Sequence, residues 1–242
     1  MEIKTGFRYP APIFDWPFEC FLEWELVTVV AETNSWKTTF AMDIIDRNSK
    51  LGIKGFYINL EFPIETVWQN RWLFNHWKSK INLSHLNPLT DMEQRDMDEY
   101  VKANLEKFDY YNNPNGIKLE DLIKLIEAKA IEWYKLFVVD TFSKIEWNLV
   151  ENPRANQNKC MEQLQELVQR LWVAIMLLHH TNRGWTFEGS QKIKDLSNVF
   201  IIVSKQTNWD WETYTEYELT KDKFITTNTL TVRYRNWEYC SV

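Results

Sequence analysis

The chain has 242 residues, of which 45% are hydrophobic and 26% charged, a balance that fits a folded globular domain and excludes disordered and fibrous classes. Its formal net charge of −6 gives no global attraction to nucleic acid, so any DNA or RNA contact has to come from local loops. Cys20, Cys160 and Cys240 are far apart, odd in number and without zinc-site spacing, which points to reduced thiols.

The opening MEIKTGFRYPAPIF has no apolar leader, and no later segment reaches the roughly 18 apolar residues of a membrane span. The expectation is a cytoplasmic protein with no membrane partner. ELVTVV, from Glu25 to Val30, is a β-branched run; a polar loop follows, then TTFAMDIIDRNSK with helical apolar spacing. KGFYINLEF predicts a second strand ending near Glu61. Residues 64–130 read as a mainly helical insertion, broken by INLSHLNPLT and YNNPNG.

YKLFVVD predicts a buried strand ending on Asp140, and a helix is expected over 156–171. The strand VAIMLL follows, with His179 and His180 at its end, and NVFIIVS, TEYELTKDK and TLTVRYR add further strands. Strands alternating with helices imply one α/β domain over residues 1–242, with a mostly parallel central sheet, helices on both faces and an antiparallel edge. Ligands in such sheets sit at the carboxyl ends of the strands. Glu61, Asp140, His180 and the loop that starts at Ala31 all fall there.

The loop AETNSWKTT matches the phosphate-binding pattern G-x-x-x-x-G-K-[ST] at its Lys and Thr, with Ala31 for the first Gly and Trp36 for the second. On this reading Ala31, Glu32, Thr33, Asn34, Ser35, Trp36, Lys37, Thr38 and Thr39 bind ATP. Lys37 reaches the β and γ phosphates, and the Thr38 hydroxyl ligates Mg2+ at a helix start whose free N–H groups face phosphate oxygens. Asp140, which ends the apolar run LFVVD, has the form of a magnesium-orienting acid on a rigid strand. Glu61 is the candidate base for the attacking water. His180 is the candidate γ-phosphate sensor, and His179 is expected to be structural.

These segments together resemble the ATPase domain of DnaB-like replicative helicases, within the RecA superfamily. AETNSWKTTFAM resembles that family's loop, FYINLEFP its strand ending on the catalytic base, FVVDTFSKI its magnesium strand and HHTNR its sensor strand end. The resemblance implies a RecA-like three-layer fold, use of ATP and Mg2+, single-stranded DNA as partner, and self-association as a ring or filament, with a hexamer as one form. EGSQKIKDLSNVFIIV resembles the DNA-facing loop, which nominates Lys192 and Lys194, with Arg154 and Lys159 as weaker DNA contacts. LTKDKF resembles the K-x-R segment that reaches a neighbouring subunit's ATP, here Lys221 and Lys223. Lys223 stands where that family has Arg, and a lysine cannot make the planar two-point contact of a guanidinium. Two other functions stay open: a regulatory ATPase of the same fold that acts on a protein, and a nucleotide-free interaction module if Trp36 is genuine.

The composition has one anomaly. The chain holds 6 Gly and 13 Trp, and the two together come to the share that glycine alone ordinarily takes, about 7%. Trp24, Trp36, Trp133, Trp172 and Trp185 fall in turns, at strand starts or in the phosphate loop, where glycine is expected. Trp68, Trp72 and Trp77 instead fall along a helix and read as core residues.

Overall fold

A computed structural model describes residues 6–32, 37–76, 78, 88–146, 153–180, 191–207, 213–222, 228–235 and 238–241. In chain order the elements are α1 (Asp15–Phe18), β1 (Leu26–Ala31), α2 (Lys37–Lys50), β2 (Gly55–Asn59), α3 (Ile64–Asn75), α4 (Asp91–Lys107), β3 (Tyr110–Asn112), β4 (Ile117–Lys118) and α5 (Leu119–Ile131). They continue with β5 (Leu136–Asp140), β6 (Ile145–Glu146), α6 (Pro153–Leu171), β7 (Ala174–His180), α7 (Gln191–Leu196), β8 (Val199–Thr207), β9 (Thr213–Asp222), β10 (Asn228–Arg235) and β11 (Glu238–Ser241).

Nine strands form one sheet in the order β11-β10-β9-β8-β1-β7-β5-β2-β3. From β8 to β3 every pairing is parallel, and β9, β10 and β11 extend the β8 side as an antiparallel edge. The expected architecture is the one observed.

Strand alternation explains why the sheet is covered twice. Successive side chains point to opposite faces, so Val27 and Val29 enter one core while Leu26 and Val30 enter the other. β5 divides in the same way, with Leu136 and Val138 on one side and Phe137 and Val139 on the other. The first core is closed by Phe40, Ala41, Ile44 and Ile45 of α2 together with Trp68 and Trp72 of α3. The second is closed by Leu122 and Ile126 of α5 and by Met161, Leu164 and Val168 of α6. In each helix the apolar residues recur at the spacing that keeps them on one stripe.

Three features differ from the sequence expectation. The stretch 64–130 is not wholly helical, because Tyr110–Asn112 adds a parallel strand beside β2 at the sheet edge. Three residues with a polar end are too few to show a strand period. Glu238–Ser241 likewise adds a last strand to β10. Residues 7–21, which carry no period of either kind, pack an aromatic cluster of Phe7, Tyr9, Phe14, Phe18 and Phe21 against Phe40 and Tyr217. No helix among the described residues is long and apolar enough to cross a membrane.

Candidate active site

Four neighbouring parallel strands, β1, β7, β5 and β2, bring their carboxyl ends side by side. Register sets the level of each group: Ala31 lies opposite His180, Asp140 opposite Leu178, and Asn59 opposite Asp140. Glu61 follows in a turn organised by the Asn59 amide, whose Nδ2 donates to the Phe62 carbonyl and, at 2.6 Å, to Asn112 Oδ1. α2 begins at Lys37, so Lys37, Thr38 and Thr39 form its first turn. A helix start of this kind leaves N–H groups without intrahelical partners and carries the positive end of the helix dipole.

Lys37 is buried, and its Nζ donates to His180 Nδ1 at 2.9 Å. His180 Nε2 stands 3.2 Å from the Glu61 carboxylate. The tautomer with its proton on Nε2 satisfies both contacts: Nδ1 accepts from Lys37, and Nε2–H donates to Glu61. Burial pulls the Lys37 ammonium below its ordinary pKa, against the pull of Asp140 and Glu61. Burial on its own would raise the Glu61 carboxyl, but the His180 hydrogen bond, with the charges of Lys37 and Lys144, outweighs it and holds Glu61 below its ordinary value. Glu61 is thus ionised, as a proton acceptor has to be.

Beside this chain lies a second network. Thr38 Oγ1 and the Tyr57 hydroxyl each donate to Asp140 Oδ2 at 2.7 Å. Asp140 Oδ1 is buried and has no hydrogen-bond partner among the described residues. Burial raises the Asp140 carboxyl, opposed by the Tyr57 hydrogen bond, the Lys37 charge and the Thr38 hydrogen bond. An orphaned buried carboxylate oxygen next to a hydroxyl is a hard-oxygen donor pair, which fits Mg2+. No cluster of three or more His, Cys, Asp or Glu among the described residues could hold a metal without help. Mg2+ ordinarily takes one or two protein oxygens and completes its shell with water and phosphate, so the two observations agree.

The structure brings together Ala31, Lys37, Thr38, Glu61, Asp140 and His180, all where the carboxyl ends of the interior parallel strands meet the start of α2. Glu32 follows Ala31 and is half-buried, and Thr39 is half-buried in α2. Thr33, Asn34, Ser35 and Trp36 lie outside the described residues, as do Lys223 and Trp185. His179 donates from Nδ1 to the His180 carbonyl at 2.7 Å, packs against Phe142, and is pushed down to about 4 by burial, in keeping with a structural role. Tyr57 was not singled out from the sequence. Only the pairing of β2 with β5, which sets Tyr57 opposite Val138, carries its hydroxyl to Asp140.

The remaining nominated lysines lie elsewhere. Lys192 pairs with Glu162 at 2.5 Å, and the Lys194 ammonium sits 5.8 Å from the centre of the Phe200 ring. Lys221 Nζ donates to the carbonyls of Lys194 and Asp195 at the end of α7. Lys159 is exposed on α6 and lines a cavity of 790 Å³ with Lys118, Glu120, Ser143 and Gln163. The side chain of Arg154 lies outside the described residues.

No known family profile and no curated protein matches the sequence. Solved structures do match. One is a DnaB-like replicative helicase studied with primase, with a TM-score of 0.81 at 10% identity over 98% of this chain and 62% of that one. A solved ATPase domain matches with a TM-score of 0.77 at 11% identity, over 99% of this chain and 91% of the other. A KaiC-like protein from the archaeon Pyrococcus horikoshii matches with a TM-score of 0.66 at 16% identity, over 98% of both chains.

The chain has the RecA-like fold. It spans 62% of the length of the DnaB-like helicase. Within the RecA-like sheet, Lys37, Thr38, Glu61, Asp140 and His180 gather where the parallel strands end, whereas Lys192, Lys194 and Lys221 cluster around α7 and the start of β8.

Proposed function

We propose that this protein is a magnesium-dependent ATPase of the DnaB-like helicase type, which acts on single-stranded DNA as a self-associated ring or filament. The observation that carries the ATPase reading is the assembly of Lys37, Thr38, Glu61, Asp140 and His180 on three adjacent strand ends and one helix start. The reading is for a chain with glycine at position 36, where the loop backbone has to approach phosphate.

In this scheme the N-terminus of α2 and Lys37 hold the β and γ phosphates, so Lys37 exchanges its contact with His180 for phosphate oxygens. Thr38 and Asp140 would hold Mg2+, which neutralises charge on the transferring phosphoryl group. Ionised Glu61 accepts the proton of the attacking water as its oxygen bonds to the γ phosphorus and ADP leaves. His180, hydrogen-bonded to both Lys37 and Glu61, is the group whose contacts change when the γ phosphate departs. Sequence resemblance supports the DNA-acting, oligomeric form.

The net charge of −6 favours a second reading, a regulatory ATPase of the same fold whose partner is a protein. Turnover assays test the chemistry. Glu61→Gln is expected to leave ATP binding nearly intact and to cut hydrolysis by about two to four orders of magnitude, whereas Lys37→Ala is expected to weaken ATP binding itself. Unchanged turnover in Glu61→Gln removes Glu61 from the mechanism. Oligonucleotide binding that falls steeply with salt separates the DNA-acting form from the protein-acting one.

A further inference from the structure

Three helices of this chain end on a left-handed residue bridged by the same long hydrogen bond, and that residue differs among them. After α2, Ile53 N–H donates to the Asn48 carbonyl at 3.0 Å and Gly52 N–H to that of Ser49 at 2.9 Å, with Gly52 at φ 82°. After α5, Tyr134 N–H donates to the Lys129 carbonyl at 3.2 Å and Trp133 N–H to that of Ala130 at 3.1 Å, with Trp133 at φ 69°. After α6, Val173 N–H donates to the Val168 carbonyl at 3.3 Å, with Trp172 at φ 53°. The crossed pair after α2 and α5 is the Schellman ending, and α6 shares its longer bond; the left-handed residue of such an ending is usually glycine. One of the three positions has glycine, and the other two have the bulkiest side chain there is.

A fourth position repeats the pattern. Glu25 N–H donates to the Leu22 carbonyl at 3.2 Å, which closes a tight turn with Trp24 third in it at φ 69°. Turns with positive φ at that position call for glycine. Among the described residues, four that are not glycine have positive φ: Glu19, Trp24, Trp133 and Trp172. A bulky side chain in that region is a conformational outlier.

Burial gives no reason for the indoles at 133 and 172, and Trp24 is only half-buried. Trp133 is 76% exposed and Trp172 57% exposed. The rings of Trp24 and Trp172 meet edge to face at 4.8 Å, a contact between two left-handed positions. Trp72 is the counter-example, 1% exposed inside α3 with its Nε1 donating to Asp96 Oδ2 at 2.8 Å. The fold therefore separates tryptophans that pack from tryptophans that occupy glycine conformations.

We infer that the native protein has glycine at positions 24, 133 and 172, encoded by UGA codons that its source reads as glycine, and that Trp72 is a true tryptophan encoded by UGG. The same assignment extends to position 36, and there alone it rests on the ATPase reading, because that residue lies outside the described ones. Glycine at 36 gives the loop the form A-x-x-x-x-G-K-T, with no Cβ where phosphate approaches. The inference joins two independent observations, the shortage of glycine in the composition and the left-handed backbone at three tryptophans.

The test is the codon at each position together with the peptide masses of the protein isolated from its source. Expected are UGA and glycine masses at 24, 133 and 172, and UGG with a tryptophan mass at 72. Tryptophan masses at 133 and 172 overturn the inference. Folding offers a second measurement: Trp133→Gly and Trp172→Gly are each expected to shift the folding equilibrium about fivefold toward the native state, and Gly52→Trp to shift it the other way. A loss of stability in both Trp→Gly variants also overturns the inference. ATP binding by the chain with Trp36→Gly keeps the two proposals apart. Glycine masses without ATP binding leave this inference standing and overturn the ATPase reading.

Discussion

Neighbouring groups at the strand ends titrate in opposite directions, so the pH response of the molecule depends on which of them is followed. Burial holds the His179 imidazole at about 4, against an ordinary value of 6.5. Between those values the unfolded chain binds a proton that the native chain does not, so this contribution to stability is fully present above about 6.5 and is lost as pH falls toward 4. Glu61, held below its ordinary value, adds a loss of the same sign further into acid. Asp140, raised by burial, works the other way, because the folded form keeps its proton to a higher pH than the unfolded form. Urea melts across pH 4 to 7 are expected to show falling stability toward acid, and His179→Gln to flatten that slope. An unchanged slope removes His179 as its cause. Tyr57→Phe deletes one of the two donors to Asp140 Oδ2 and is expected to raise the Mg2+ concentration needed for half-maximal ATP hydrolysis while it costs about 1–3 kcal/mol of stability.

α2 links the N-terminal aromatic segment to the candidate site, since its first turn carries Lys37 and Thr38 and its last turn carries Arg47. The Arg47 guanidinium makes a two-point contact with Asp15 at 2.8 and 2.9 Å and donates to the Tyr9 carbonyl at 2.8 Å. Lysine keeps the charge and loses the fork. Arg47→Lys is therefore expected to cost about 1 kcal/mol in chemical denaturation, with the ATP affinity of the site unchanged. No loss of stability would mean that the aromatic packing of Tyr9, Phe14 and Phe18 holds this segment without Arg47. That packing also shows what sequence could and could not reveal. β1, β5 and β7 are fully or largely buried runs that end on Ala31, where the phosphate-loop pattern starts, on Asp140 and on His180, and both the fold class and the candidate site follow from such runs. Residues 7–21 were not legible, because rings spaced among Pro10, Pro12 and Pro17 form a core through tertiary contacts with Phe40 and Tyr217 rather than through a period of their own. Tyr57 was hidden for a related reason, since its role depends on strand register.

The sheet as a whole separates the catalytic candidates from Lys221, one of the two lysines nominated to act on a neighbour. Lys221 lies opposite Phe200 across β8 and β9, and Phe200 lies opposite Thr28 across β8 and β1. That position is about 10 Å along the strands from Ala31 and about 10 Å across them. The Lys221 ammonium is also directed away from the strand ends, toward the last carbonyls of α7. A lysine so placed cannot serve the ATP of its own chain, so its proposed contribution requires a second copy to dock the α7–β9 side against the strand ends of the first. Docking of that kind makes hydrolysis depend on concentration: ATP turnover per chain is expected to rise with protein concentration and to level off once assembly is complete. Lys221→Ala is expected to lower the plateau while leaving the ATP affinity of the isolated chain unchanged. Light scattering over the same dilution series shows whether the rise follows assembly. Specific activity that stays flat while the protein scatters as a monomer rules out the trans role. A plateau that Lys221→Ala does not lower assigns Lys221 instead to holding the end of α7.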